Sequence, residues 1–266
     1  VNSGTDALYL SLKALGIGKG CRVAVPSHTF VATVQVVQQL GAEPVLYDMD
    51  GLPRYDIHIP VHIAGELSPV SEVGTTIIED ACQALGAVKN PTTNAQCWSF
   101  YPAKILGCYG DGGAVTTNDE ALAQEIRNLR NHYKPTYDKW GVNSRLDNLQ
   151  AAVLNVKLKY LPAILARRQE IAQLYLSELK DVQDIGLPNN TPGRVWQDFV
   201  IRTPRRNSLY DFLKEKGIET MKNEYPFPIR KLPLSLKYEA ETLRIPCNET
   251  LTYEEIMYVI ESIREF

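Results

Sequence analysis

No run of apolar residues in this 266-residue sequence approaches the roughly 20 needed to cross a bilayer. No secretory leader is recognisable at its start, so a membrane partner and export are not expected. Cysteine is scarce: Cys21, Cys82, Cys97, Cys108 and Cys247 are odd in number, widely spaced and without a C-x-x-C pair. That pattern excludes a disulfide framework and a zinc site, and it fits a reducing cytoplasm. None of the four histidines stands at metal-ligand spacing from a cysteine or carboxylate, so no metal is expected. Neither charge dominates, with 28 Lys and Arg against 31 Asp and Glu and a pI near 5.9. Nucleic acid and anionic membranes are therefore not expected partners. There is no G-x-x-x-x-G-K-[ST] and no G-x-G-x-x-G between a strand and a helix, which removes a Walker phosphate loop and a dinucleotide fold. Repeats and low-complexity tracts are lacking too.

What is present is a regular alternation. Short β-branched runs predict strands over Arg22–Pro26, Pro44–Asp48, Ile57–His62, Thr76–Glu79, Cys97–Tyr101 and Ala114–Thr117. Amphipathic spacing predicts helices over Asp6–Leu15, Val31–Leu40 and Glu120–Asn131, the last capped by Asn118 or Asp119. Strand–helix alternation of this kind reads as an α/β domain with a mostly parallel sheet flanked by helices, over residues 1–155. A long helix then runs from Leu146, with a break near Pro162, to about Leu179. It leads into a smaller C-terminal α+β domain, so that residues 156–266 form the second unit. There the pattern predicts a strand over Gln197–Thr203, a helix over Ser208–Lys216, a loop over Tyr225–Pro233 and a final helix over Tyr253–Phe266.

Open α/β sheets bind ligands beyond the carboxyl ends of their strands, and several polar residues fall there. Asp80 follows the apolar Ile77-Ile78. It can cap a following helix, or it can meet a pyridine nitrogen and keep it protonated, which makes the ring an electron sink. Gln83 lies one helical turn on, where its amide can reach the same ring. Lys104, in Ser99-Phe100-Tyr101-Pro102-Ala103-Lys104, is either an exposed turn lysine or an amine kept deprotonated among apolar residues and able to form a Schiff base. Gly107, Gly110, Gly112 and Gly113 behind it permit close backbone approach, or make a plain hairpin. Asn2-Ser3-Gly4-Thr5 before the first helix is a good N-cap and equally an anion site, because helix starts offer free N–H groups. Phe30, where a strand gives way to a helix, can stack on a flat ring or belong to the core. His58 and His132 are read as surface or structural residues.

Taken in order, NSGTDALYLSL, VAVPSHTFVAT, GAEPVLYDMD, IPVHIAG, IIEDACQALGA, SFYPAKILGCYGDGGAVTTND and SRLDNLQAAVL resemble the DegT/DnrJ/StrS family of sugar aminotransferases. These are pyridoxal 5'-phosphate (PLP) enzymes of the aspartate-aminotransferase fold, fold type I. The resemblance covers nearly the whole chain, and the EDxxQ-then-SFxPxK order is its most specific part. It implies that Lys104 carries the cofactor as a Schiff base and shuttles the proton. By the same token Asp80 pairs with the pyridine nitrogen, Gln83 contacts the ring hydroxyl and Phe30 stacks on the ring. Gly4, Thr5 and Ser99 would hold the phosphate. Asn143 matches an asparagine that reaches the cofactor phosphate of a neighbouring subunit, implying a homodimer with shared sites. The implied reaction moves an amino group from an amino acid, usually L-glutamate, to a nucleotide-linked keto sugar in deoxyamino-sugar biosynthesis. Lysine, where a dehydrating subgroup has histidine, implies transamination.

The chain also departs from that family. Its first motif begins at Asn2 and the chain at Val1, so a lost leader or a trimmed protein is expected. Gly51–Pro60 and Glu66–Thr75 are short where relatives are longer. Pro228-Ile229-Arg230 stands where P-L-H is usual; Arg230, Lys231 and Lys222 can serve a pyrophosphate or be surface charge. A rival reading is a PLP-binding regulatory or assembly protein without turnover. Keeping the nucleophile Lys104 favours the enzyme.

Overall fold

In a computed structural model, residues 1–48, 54–70, 75–87, 93–223 and 232–266 are described. The first sheet has six strands in the order β2-β1-β3-β4-β5-β6. They are β1 (Arg22–Pro26), β2 (Glu43–Tyr47), β3 (Ile57–His58), β4 (Thr76–Asp80), β5 (Ala95–Ser99) and β6 (Gly113–Thr116). The first five run parallel and β6 pairs antiparallel with β5, which is the expected mostly parallel sheet. Val23, Val25, Ile57, Ile78 and Cys97 from these strands are buried against α1 (Gly4–Ala14), α2 (Val31–Gln39) and α3 (Glu120–Leu129). Each fully buried Leu or Val there contributes about 1.5–3 kcal/mol. The α3 cap is Asp119, whose Oδ1 accepts from Leu122 N at 3.0 Å.

One expected strand is shorter and another is shifted by two residues. The strand from Ile57 ends at His58, because Pro60 has no N–H to offer a continuous ladder, and pairing with β4 resumes as a single bridge between Val61 and Asp80. Beyond it, a 3₁₀ turn at Ile63–Gly65 carries Ala64 in the left-handed region at φ 54°. Gly65, at φ +83°, admits no side chain, since a Cβ there would lie 2.0 Å from the Val195 carbonyl oxygen. The strand placed at Cys97–Tyr101 is instead Ala95–Ser99. Asp80 and Ser99 are the last residues of β4 and β5, and Phe30 and Lys104 follow the carboxyl ends of β1 and β5.

The long helix is two helices, α4 (Asn148–Lys157) and α5 (Leu161–Glu178), joined by a 3₁₀ turn at Leu158–Tyr160. Pro162 sits in the first turn of α5, where its missing N–H costs nothing. A second sheet, ordered β7-β9-β8, is antiparallel: β7 (Phe199–Arg202), β8 (Met221–Lys222) and β9 (Thr242–Ile245). It packs with α5, α6 (Arg206–Glu215) and α8 (Tyr253–Glu265) around Trp196, Tyr175 and Phe199. Sequence patterning missed β8, β9 and α7 (Pro233–Glu241). The expected Tyr225–Pro233 loop, with Arg230 and Lys231, falls outside the described residues except at its end, where Pro233 opens α7. Lys222 lies in β8 with its ammonium 4.5 Å from the Tyr210 ring centroid.

The first and last thirds of the chain meet at Asp48. Its Oδ2 accepts from Leu234 N at 2.9 Å, so it caps α7 from 186 residues away. Its Oδ1 accepts from Ser27 Oγ at 2.5 Å and from Ser235 Oγ at 2.6 Å. Burial opposes ionisation of this carboxyl, but the two hydroxyls and the Leu234 and Ser235 amides outweigh it and hold the pKa below the usual range. A depressed carboxylate contributes stability above its unfolded pKa, and that contribution disappears as pH falls through the folded value. Asp48→Ala is expected to lower stability by about 1–2 kcal/mol at neutral pH. In thermal melts the gap to wild type should close below about pH 4; a gap unchanged into acid would contradict this account.

Candidate active site

A buried carboxylate needs hydrogen-bond donors, and Asp80 has two that fix its plane. Oδ2 accepts from Thr33 Oγ1 at 2.8 Å, and Oδ1 accepts from Cys82 N at 3.2 Å. Thr33 has one hydroxyl proton and gives it to Asp80, so the 3.0 Å contact with Thr29 is a bond donated by Thr29. The two hydroxyls form a relay of donors ending on the acid. The Asp80 backbone is held as well, its N–H by Pro60 O at 2.9 Å and its C=O by His62 N at 3.1 Å.

Residues 81–87 turn without forming a helix, so Asp80 caps none. Gln83 is placed differently from a helical expectation: its Oε1 accepts from Ala64 N at 2.6 Å. With the oxygen engaged, the NH₂ end is the one left to donate to a ligand. Beside Asp80 lies a second buried group. Glu79 accepts from His62 Nε2 at 2.7 Å, from Gln96 at 3.2 Å and from the Thr93 hydroxyl. Ser68 N donates to His62 Nδ1 at 3.0 Å, which assigns the proton of the neutral ring to Nε2. Burial opposes ionisation of Glu79, but these donors, His62 foremost, hold its pKa below the ordinary carboxylate range.

Cys82 ties the acid to the lysine. Burial first, and then the charge of Asp80, push its thiol pKa well up, while the Lys104 ammonium acts on it in the opposite sense. Lys104 follows β5 in a turn closed by its own N–H on Tyr101 O at 2.9 Å. At the amino end of α1, Gly4 is packed so closely that a Cβ would lie 2.7 Å from Cys82 Sγ and 2.9 Å from Ser99 Cβ. The cap residue is Ser3, whose Oγ accepts from Asp6 N at 3.0 Å. Thr5 follows in the first turn, so Gly4, Thr5, Ser99 and Cys82 meet at one helix start, beside Asp80. Within the glycine run, Gly107 and Gly113 are needed for room: a Cβ would meet Pro102 O at 2.4 Å and Ser3 O at 2.3 Å respectively.

Phe30 is the N-cap residue of α2, one turn before Thr33, and 53% of it is exposed. Asn143 is exposed on the outside of the chain, where its Oδ1 accepts from Arg145 Nε at 3.1 Å. Its neighbour Ser144 donates to Asp6 Oδ2 at 2.7 Å and accepts from Asn2 N at 3.0 Å, which anchors the segment beside the start of α1. His58 is buried and structural, bonded to the Tyr47 hydroxyl at 2.8 Å, and His132 is a surface residue. Sequence reasoning passed over Thr33, Ala64 and Gln197. Thr33, in the first turn of α2 and 47 residues from Asp80, and Gln197, 94 residues from Ala103, carried no local signal.

An acid at the end of one strand, a lysine after the next and a helix start between them make a candidate cofactor site on an α/β sheet. The DegT/DnrJ/EryC1/StrS aminotransferase family model matches residues 1–264. The erythromycin biosynthesis sensory transduction protein EryC1 of Saccharopolyspora erythraea is 38% identical, over 99% of this chain and 84% of that protein. The dTDP-3-amino-3,4,6-trideoxy-alpha-D-glucose transaminase of Streptomyces venezuelae is 37% identical, over 100% of this chain and 82% of its own. That match runs over 310 positions against 266 residues here, so internal segments of the relative have no counterpart. The crystal structure of S. venezuelae DesV in complex with a ketimine intermediate superposes with a TM-score of 0.91 at 36% identity, covering 100% of this chain and 83% of that one. The chain therefore belongs to the DegT/DnrJ/EryC1/StrS aminotransferase family, and it is a PLP-dependent sugar aminotransferase.

Gly4 gives a direct test of the packing. Gly4→Ala drives a methyl group into Ser99 and Cys82 and is expected to cost about 1–3 kcal/mol of stability. Denaturant melts would show it; an unchanged midpoint would mean that the helix start has slack.

Proposed function

We propose that this chain transfers an amino group from an amino acid, L-glutamate in the first instance, to a nucleotide-linked keto sugar in the cytoplasm. The observation that supports the reading is the close packing of Gly4, at the start of α1, on Ser99 and Cys82 at the ends of β5 and β4, with Asp80 and Gln83 on either side of Cys82 and Lys104 five residues after Ser99. The residues fit PLP. Gly4 leaves backbone room at a helix start, Asp80 is an acceptor-only carboxylate once ionised, and Gln83 has its oxygen committed and its NH₂ end to offer.

Bound PLP supplies a pyridinium ring that accepts the electron pair left on the substrate carbon. Asp80 would hold a proton on the ring nitrogen, its carboxylate oriented by the Thr33 hydroxyl and the Cys82 amide. Gln83 donates to the ring oxygen. The amides of Gly4 and Thr5 and the Ser99 hydroxyl bind the phosphate, with the helix start favouring its charge. Phe30 covers one ring face. Lys104 would hold the cofactor through its aldehyde, and its amine would be the group placed to carry a proton at the substrate carbon.

Asn143 completes the phosphate site of a second copy in a homodimer. Leu149, Val156, Leu158 and Tyr160, exposed along α4 and the turn after it, support an apolar interface close to Asn143 in the chain. The free thiols of all five cysteines agree with a reducing compartment. The regulatory alternative gains nothing from the site, since a scaffold has no use for an amine nucleophile beside a fixed acid.

The purified protein with PLP is expected to be yellow, to be fixed at Lys104 by borohydride, and to bleach on adding glutamate. Lys104→Ala should lose both the trapped lysine and transfer, with kcat reduced by at least about a thousandfold. Colour that glutamate cannot bleach would decide against turnover. Sedimentation should give a dimer, and Leu149→Glu with Val156→Glu should halve the mass; a wild-type monomer with full activity would refute the shared site.

A further inference from the structure

Gln197 precedes β7 and is 8% exposed. Both ends of its carboxamide go to the peptide groups that flank Lys104. Oε1 accepts from Ile105 N at 3.0 Å, and Nε2 donates to Ala103 O at 2.9 Å. The Lys104 N–H is engaged in turn by Tyr101 O at 2.9 Å. The peptide plane before Lys104 is thus held at its oxygen and its nitrogen, and the plane after it at its nitrogen. Peptide groups are rigid, so holding both planes sets φ and ψ of the residue between them. The Cα–Cβ direction of Lys104 follows from those two angles, and with it the region its amine can reach.

The clamp needs one planar group that both donates and accepts, which a carboxamide provides. It is itself anchored on two sides. Arg168 of α5 donates through Nη1 to the carbonyls of Trp196 and Gln197, at 3.1 Å each, while its Nε pairs with Glu249 at 2.9 Å. On the other side Val195 N donates to Gly65 O at 3.1 Å, next to the Ala64 that holds Gln83. Residues 195–197 therefore strap the lysine turn to the segment that carries Gln83.

We propose that Gln197 is a positioning residue for Lys104: it fixes the lysine backbone so that the amine meets the cofactor aldehyde in a reactive orientation. This rests on the assignment of Lys104 as the cofactor lysine. Gln197 spends both polar ends on the lysine turn and acts only through it.

The test separates attachment from binding. Apoprotein is mixed with PLP and covalent attachment is timed by absorbance and by borohydride trapping at Lys104. Pyridoxamine phosphate, which has no aldehyde, reports binding alone by calorimetry. If wild type is not trapped at Lys104, the assignment of the lysine fails, whatever Gln197 does. If it is trapped, Gln197→Met should attach at least about tenfold more slowly, with pyridoxamine phosphate affinity and the apoprotein Tm near wild type. Gln197→Glu guards against a Met variant that does not fold. Ionised, its carboxylate still accepts from Ile105 but repels the Ala103 carbonyl; protonated, it donates there again. Its rate relative to wild type should therefore recover as pH is lowered. Attachment at the wild-type rate in the folded variants, a loss that merely tracks weaker pyridoxamine phosphate binding, or a Glu deficit flat with pH would each overturn the proposal.

Discussion

A carboxylate taken out of water has to be met by donors, and at Asp80 that requirement organises the surrounding chain. Thr33 must face the end of β4, which sets the rotation of α2 and places Phe30 one turn earlier. Cys82 must present its amide, so the chain turns at once after the strand instead of continuing straight. The Asp80 backbone pairs sideways with Pro60 and His62, which carries Ala64 to Gln83 and Gly65 to Val195. On its other side Ala81 N bonds Cys97 O, bringing β5 and the lysine turn alongside. Four proposed cofactor contacts, Asp80, Phe30, Gln83 and Lys104, are thus fixed relative to one another through the hydrogen bonds of a single strand end.

Glu79 solves the same problem one residue earlier with a different set of donors. His62, Gln96 and Thr93 surround it, and Ser68 fixes the imidazole tautomer. Two adjacent acids are thereby buried with separate networks. One is closed among protein groups; the other lies beside the helix start and the lysine. That difference in surroundings fits a structural role for Glu79 and the proposed chemical role for Asp80.

Much of the first sheet was legible because its strands are short β-branched runs set off by glycine, proline or charge. The helices were legible from their spacing, and Asp119 caps α3 as a capping residue should. The second sheet was less so. In α7 the leucines at 234 and 236 are exposed, so no buried stripe marks the helix. β9 follows it directly at Thr242 without a breaker, and β8 is two residues long. At the candidate site, Asp80, Gln83, Ser99 and Lys104 were visible, because they stand at or just past a strand end. Thr33 and Gln197 were not, because they act through contacts 47 to 94 residues long that only the folded chain creates.

The strap at residues 195–197 has a consequence for the order in which the molecule is built. Ribosomes release the amino-terminal half first, with Asp80, Gln83, Ser99 and Lys104 already in it. The lysine turn lacks two of its restraints until Gln197 has emerged, and the strap lacks Glu249 behind Arg168 until some fifty residues more have followed. A nascent chain can thus form its parallel sheet early and still carry an unaimed lysine. Maturation of the site waits on residues made well after the lysine itself.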